Sequence, residues 1–128
     1  MTVTGVVEEF QPHPSAVTAA RGFLRSALRD LGLDETSSDL IDLLVMAVNE
    51  LATNAVLHAR TEFTIRVLAD QTWVRVEVGD ANPRMPQPYP ATAHATSGRG
   101  LAIIDASGLR WGVVPHPDGK TMWIQAAR

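Results

Sequence analysis

Two polar residues, Glu50 and Asn54, stand four positions apart in a segment whose apolar residues recur with helical spacing from about Ser38 to Ala59. At about 100° per residue, Asn54 projects into the apolar arc of the predicted helix and Glu50 lies at the edge of that arc. A buried carboxylate and amide are costly unless a metal, a ligand or a hydrogen-bond network satisfies them. The alternative is a solvated pair at a helix border, which this helix taken alone favours. His58 also falls on the inward arc, and near a helix end it is predicted to be structural.

Asp80 follows a Val-rich strand and begins the segment Asp80-Ala81-Asn82-Pro83-Arg84-Met85-Pro86. A carboxylate at the end of a strand can accept a hydrogen bond from the amino group of a purine. It can equally begin an Asx-turn before a proline, and taken alone the turn is favoured.

A third motif, Ser97-Gly98-Arg99-Gly100-Leu101, opens a predicted helix. Glycines allow backbone amides to approach a ligand closely, and a helix N-terminus attracts phosphates. A single Gly-x-Gly is weak evidence by itself, and the motif matches neither a Walker A loop nor a dinucleotide fingerprint.

The fourth motif, Asp118-Gly119-Lys120-Thr121, leads into the last predicted strand. In isolation it is typical of a tight hairpin turn with one solvated lysine.

The elements that must position these motifs follow from the periodicity of the apolar residues. The predicted order is strand, helix, helix, hairpin, loop, helix and hairpin, at residues 2–10, 15–33, 38–59, 62–78, 80–97, 98–107 and 109–127. Such an order places helices on one face of a mostly antiparallel sheet. The sequence therefore predicts an α+β protein, a two-layer α/β sandwich with three helices on one face, formed by one domain over residues 1–128.

Composition narrows the classes of function. A formal net charge of -3 and a pI near 5.7 argue against direct nucleic-acid binding. The absence of cysteine excludes disulfides, thiolate metal sites and a cysteine nucleophile, and fits a cytoplasmic location. No segment is expected to approach the roughly 20 apolar residues of a membrane span, so no membrane association is predicted.

Taken together and in this order, the four motifs resemble the nucleotide-binding boxes of the histidine-kinase-like (GHKL, Bergerat-fold) ATPase superfamily. Within it, the chain looks like the stand-alone anti-sigma factor serine/threonine kinase family, with a resemblance from about Val17 to Ile124. Two matches are specific, namely Asn49-Glu50-Leu51-Ala52-Thr53-Asn54-Ala55-Val56-Leu57-His58-Ala59 and Gly98-Arg99-Gly100-Leu101-Ala102-Ile103-Ile104-Asp105-Ala106.

The resemblance implies ATP and Mg²⁺ as cofactors, with Glu50 as the catalytic residue that orients or deprotonates the attacking hydroxyl. It implies that Asn54 coordinates Mg²⁺, that Asp80 accepts from the adenine amino group and that Thr121 supports this contact. The other implied nucleotide-binding residues are Pro86, Gly98, Arg99, Gly100 and Leu101, with loop 82–97 as a lid over the nucleotide.

The implied function is a regulator that phosphorylates a Ser or Thr of an antagonist protein and competes for a sigma factor. The implied partners are therefore an anti-anti-sigma antagonist and a sigma factor, together with a homodimer through the first strand and helix. The alternative is a module of the same fold that binds ATP, or only protein, without catalysis. An ATP-driven machine and a histidine phosphorelay protein fit less well.

Overall fold

Five strands pair into one sheet in the computed structural model of the protein, which describes residues 2–33, 37–84 and 102–128. The strands are β1 (Thr4–Phe10), β2 (Phe63–Ala69), β3 (Trp73–Asp80), β4 (Arg110–His116) and β5 (Gly119–Ala127). They lie in the spatial order β1-β2-β3-β5-β4, and every neighbouring pair is antiparallel. The two predicted hairpins are confirmed, and the first strand lies at one edge of the sheet.

The helices cover one face of this sheet. They are α1 (Ser15–Asp30), α2 (Ser38–Asn54), a π-helical segment (Ala55–Ala59) that continues α2, and a short helix at residues 102–106. Helix α1 packs over β1 and β2, whereas α2 packs over β3 and β5. The predicted α+β architecture with helices on one face of an antiparallel sheet is therefore confirmed.

The core lies between the two layers because each strand alternates apolar and polar side chains. In β2 the inward residues are fully or almost fully buried, and Phe63 stacks on Phe10 of β1 at a ring distance of 5.3 Å. The ring of Phe23 on α1 packs edge-on against Phe10, with the two ring centroids 6.0 Å apart. This aromatic cluster fixes the first strand and the first helix to the sheet.

A Schellman motif ends helix α1. The backbone amide of Leu33 donates to the carbonyl of Leu28, and the amide of Gly32 donates to the carbonyl of Arg29. Gly32 has a positive φ of 92°, which a residue without Cβ adopts at little cost. The turn buries Leu33 and directs the chain back toward α2.

The continuous helical stretch Ser38–Ala59 is 22 residues long and apolar, with a mean hydropathy of 1.6 over its most apolar part. By length and composition it could cross a membrane, so the expectation that no segment approaches such a span is wrong. Packing in the protein core also explains this hydropathy, because Leu44, Val48 and Leu51 of α2 are buried there.

Candidate functional site

Glu50 and Asn54 lie on the last two turns of α2, one helical turn apart on the same side of the helix. Both residues are half-buried, at the border between the core and solvent. Neither side chain makes a hydrogen bond or an ion pair within the ranges that the structure describes. The two polar groups are therefore available to a ligand.

Asn49, directly before Glu50, anchors this part of α2. Asn49 accepts a hydrogen bond from the guanidinium of Arg21 on α1 through its side-chain oxygen. The backbone carbonyl of Asn49 accepts a second bond from the hydroxyl of Thr53 at 2.6 Å. Asn49 and Thr53 thus use their polar groups internally, whereas Glu50 and Asn54 do not.

The π-helical segment begins directly after Asn54, and its bond from the Arg60 amide to the Ala55 carbonyl is 2.8 Å long. A π turn is wider than an α turn, so successive side chains rotate by a smaller angle around the axis. The α-helical phase that predicts an inward His58 therefore fails, and His58 is exposed together with Leu57. Arg60, with a φ of 58°, ends the helix in the left-handed region.

Asp80, at the end of β3, forms a buried ion pair with Lys120 of β5. The Lys120 Nζ lies 3.0 Å from Oδ2 and 3.1 Å from Oδ1 of Asp80, and the two side chains are only 7% and 6% exposed, respectively. The pairing of β3 with β5 places these two residues directly opposite each other. Gly119 makes this approach possible, because a Cβ there would clash with the carbonyl oxygen of Asp80.

The ion pair also holds the backbone of Asn82. The Asn82 amide donates to Asp80 Oδ1 at 2.8 Å, which is the Asx-turn that the sequence favours, and the Asn82 carbonyl accepts from Lys120 Nζ at 2.9 Å. The side-chain amide of Asn82 then donates to the carbonyl of Ala59 at 3.3 Å. The structure thereby joins the end of β3 to the end of the π-helical segment.

Thr121 is not directly opposite Asp80 across the strand pair, although both residues line the same cleft. It is in register with Gly79, and alternation along β5 directs its side chain to the sheet face opposite Lys120. Its hydroxyl lies 2.9 Å from Nε2 of His116. The residue paired directly with Asp80 is therefore Lys120, and the predicted support of the adenine contact by Thr121 stays a prediction.

A shallow cleft of about 320 Å³ lies at this end of the sheet. Its lining includes Thr121, His116, Thr64 and two acidic residues, Glu9 and Glu62. The Glu62 carboxyl raises the pKa of Glu9, through a hydrogen bond to its protonated form and through like charge, with a smaller contribution from burial. The cleft therefore carries two neighbouring carboxyl groups, of which Glu9 is the harder to ionise.

Several predicted site residues lie outside the described ranges. They are Pro86, Gly98, Arg99, Gly100 and Leu101, with most of the predicted lid, 82–97. Residues 102–106 are helical, in agreement with the predicted helix after the glycine motif, and Ile104 is fully buried. The predicted phosphate contacts of the glycine motif remain predictions.

The available donors fit a magnesium nucleotide. Mg²⁺ prefers oxygen ligands, takes few of them from protein and completes its shell with phosphate oxygens and waters. Asn54 offers an unpartnered amide oxygen and Glu50 an unpartnered carboxylate one turn away. Over residues 2–33, 37–84 and 102–128, no cluster of three His, Cys, Asp or Glu residues could enclose a metal. This donor set therefore suits a metal that arrives with phosphates better than one held by protein alone.

The expectation that the fourth motif carries one solvated lysine is wrong, because Lys120 is buried. A signal for it exists in the sequence, because alternation along β5 from the buried Met122 and Ile124 places residue 120 on the same inward face. A lysine on an apolar face needs an acceptor, and Asp80 stands at the end of the neighbouring strand.

Comparison with known protein families places almost the whole chain in one group. The family model described as "Histidine kinase-like ATPase domain" matches residues 10–123. In sequence, the chain is 44% identical over 55 residues to SCO4941, an uncharacterized protein of Streptomyces coelicolor. That match covers 41% of this chain and 52% of the relative, so it spans about half of the relative's length.

Two solved structures share the fold. The structure of the RsbU and RsbW domains of Rv1364c from Mycobacterium tuberculosis superposes with a TM-score of 0.64 and 23% identity, covering 98% of this chain and 33% of that one. A chain of the SiaB-SiaC complex from Pseudomonas aeruginosa superposes with a TM-score of 0.52 and 14% identity, covering 96% of this chain and 89% of that one. At these identities the likeness concerns the fold, and this chain spans only a third of the first structure.

Proposed function

Because the chain belongs to the histidine kinase-like ATPase family, we propose that it binds Mg·ATP at Glu50 and Asn54 and acts as a serine/threonine protein kinase of the anti-sigma factor type. The observation that carries the proposal is the pair of half-buried, unpartnered oxygen donors on one face at the end of α2. Bound Mg·ATP supplies the phosphoryl group and neutralises its charge.

The roles of the residues follow from their chemistry. The amide oxygen of Asn54 coordinates Mg²⁺ without adding negative charge beside the phosphates. The carboxylate of Glu50 orients the hydroxyl of a protein substrate and accepts its proton, since it lies one turn from the metal ligand. Phosphoryl transfer depends mainly on positioning and charge neutralisation, so this small set suffices together with the predicted backbone donors at Gly98, Arg99 and Gly100.

The partner proposed for this activity is a protein that presents a Ser or Thr, namely an antagonist of the anti-anti-sigma type, with a sigma factor as the regulated target. Support comes from the two structures of the same fold, one an RsbW domain and the other solved as the complex of SiaB with SiaC. Control of transcription by protein contact, in the cytoplasm, is part of the same proposal.

A second candidate, an ATP-sensing or protein-binding module without catalysis, has one observation in its favour. The carboxylate of Asp80, to which the resemblance gives the base contact, is already engaged by Lys120 and by the amide of Asn82. A chain that binds nucleotide weakly can still act by protein contact.

Phosphoryl transfer separates the two candidates. Purified protein is incubated with γ-labelled Mg·ATP and candidate antagonist proteins, and label on a Ser or Thr of the antagonist is measured. The kinase proposal expects transfer by the unmodified chain and a loss of about 10²- to 10⁴-fold in Glu50→Gln, which keeps the shape but not the base.

The matched control is Asp42→Asn, which removes an exposed carboxylate two turns earlier on the same helix and should transfer normally. Nucleotide binding without transfer to any antagonist would favour the module, and a fully active Glu50→Gln would remove Glu50 from the role of base.

A further inference from the structure

The ammonium group of Lys120 has a protein acceptor for each of its hydrogens. An ammonium carries three hydrogens, and three acceptors lie within hydrogen-bond distance, namely both carboxylate oxygens of Asp80 and the carbonyl of Asn82. In turn, Asp80 Oδ1 accepts from both Lys120 and the Asn82 amide. Both side chains are more than nine-tenths buried, although both residues border the shallow cleft at this end of the sheet, so little of either group is open to an incoming base.

We propose that Lys120 masks Asp80, so that a nucleotide base reaches the carboxylate only by displacing the ammonium from it. The inference rests on the proposed binding of ATP and adds a residue that sets its affinity. A neutral amino group of adenine forms a weaker hydrogen bond to a carboxylate than an ammonium does. Base binding therefore has to offset the loss of the ion pair. The apparent affinity equals the affinity of the open form multiplied by the fraction of molecules in which the pair is open.

Opening the pair also removes one hydrogen bond from the chain segment after β3. The Asn82 carbonyl loses its lysine donor, while the Asn82 side chain remains joined to Ala59 at the end of the π-helical segment. The position of the Asn82 backbone is therefore coupled to whether a base occupies Asp80, and Lys120 acts as a positioning residue in this coupling.

The sequence offers an unusually direct probe, because Lys120 is the only lysine of the chain. Protein labelled with ¹⁵N-lysine gives one side-chain ammonium signal, and a buried, paired ammonium exchanges its protons slowly. We expect slow exchange in the free protein and faster exchange when Mg·ATP is added. Mg·tripolyphosphate, which has phosphates but no base, should leave the exchange rate unchanged. Unchanged or slower exchange in the ATP-bound protein would overturn masking, and this measurement needs no variant.

The affinity for Mg·ATP provides the second test of masking. Lys120→Met should bind Mg·ATP more tightly, by roughly 5- to 150-fold as expected for a coupling between two bound states, and should bind Mg·tripolyphosphate as the unmodified chain does. Arg66→Met, which removes an exposed cation from β2, is the matched control and should change neither affinity. Circular dichroism first establishes that Lys120→Met is folded.

The outcomes separate masking from the proposed function. If the unmodified chain binds Mg·ATP and Lys120→Met binds it no more tightly, masking fails and ATP binding stands. If only Lys120→Met binds, masking is supported. If a folded Lys120→Met and the unmodified chain both fail to bind, masking and the proposed function are both overturned.

Discussion

Glu50 and Asn54 have no partner in the described part of the chain, whereas the adjacent Asn49 and Thr53 do, and this difference carries their proposed role. Their spacing is predictable from sequence, because residues four apart share a helix face. The fourth motif alone predicts a solvated Lys120, and its burial follows only when the alternation along β5 is traced back from Met122 and Ile124.

At the same scale, the acidic pair of Glu9 and Glu62 predicts a pH dependence. The pKa of Glu9 lies above its usual value, so folding with this carboxyl ionised costs free energy. That cost is present at neutral pH and fades as pH falls through the raised pKa toward the unfolded value.

Glu62→Gln should therefore lower the pKa of Glu9 and increase the free energy of unfolding at pH 7.5, with the gain shrinking near pH 4. A carboxyl NMR titration and urea denaturation at both pH values measure this. An unaltered Glu9 titration in the variant would refute the coupling.

At the scale of elements, the periods of the apolar residues predict the helices and hairpins well, because each element buries one face on the common core. The π-helical segment is the exception. Its wider turns leave no signature in the apolar spacing, so the sequence predicts an inward His58 and the structure exposes it.

The turn between β2 and β3 gives a prediction for one hairpin. Burial acts to raise the pKa of Asp70, but hydrogen bonds from Thr72 and the Trp73 amide, with the charge of Arg128, outweigh it and hold that pKa below its usual value. This stabilisation is present above the unfolded value and is lost as pH falls through the lowered pKa.

Asp70→Ala should lower the urea midpoint at pH 7, and the difference from the unmodified chain should narrow toward pH 3. Asp42→Ala, at an exposed helix position, serves as the control. If Asp70→Ala lowers the urea midpoint by the same amount at both pH values, the charge of Asp70 does not stabilise the turn.

The edge strand β1 offers a surface on which to test the homodimer that the resemblance implies. It exposes Val6 and Val7, and an edge strand presents unpaired backbone groups to a second chain. Sedimentation velocity should detect a dimer that dissociates in Val7→Lys, because a lysine opposes edge pairing. A monomer at all concentrations, or a dimer indifferent to Val7→Lys, would contradict an interface at this strand.

At the scale of the whole molecule, a helical layer on an antiparallel sheet places the end of α2 and the end of β3 at one end of the sandwich. The Asn82 side chain connects them through Ala59. This arrangement follows from element order and packing, so the sequence could predict the fold. The network of Asp80, Lys120 and Asn82 depends on strand register, which the motifs do not specify.

Binding of Mg·ATP tests the central claim most directly. Isothermal calorimetry on the unmodified chain should show one site whose affinity depends on Mg²⁺. Asn54→Ala should weaken it by about 10-fold or more, and Asn54→Asp, which keeps an oxygen ligand, should retain Mg²⁺ dependence. Equal affinity of the unmodified chain and a folded Asn54→Ala, with and without Mg²⁺, would contradict the assignment of the site.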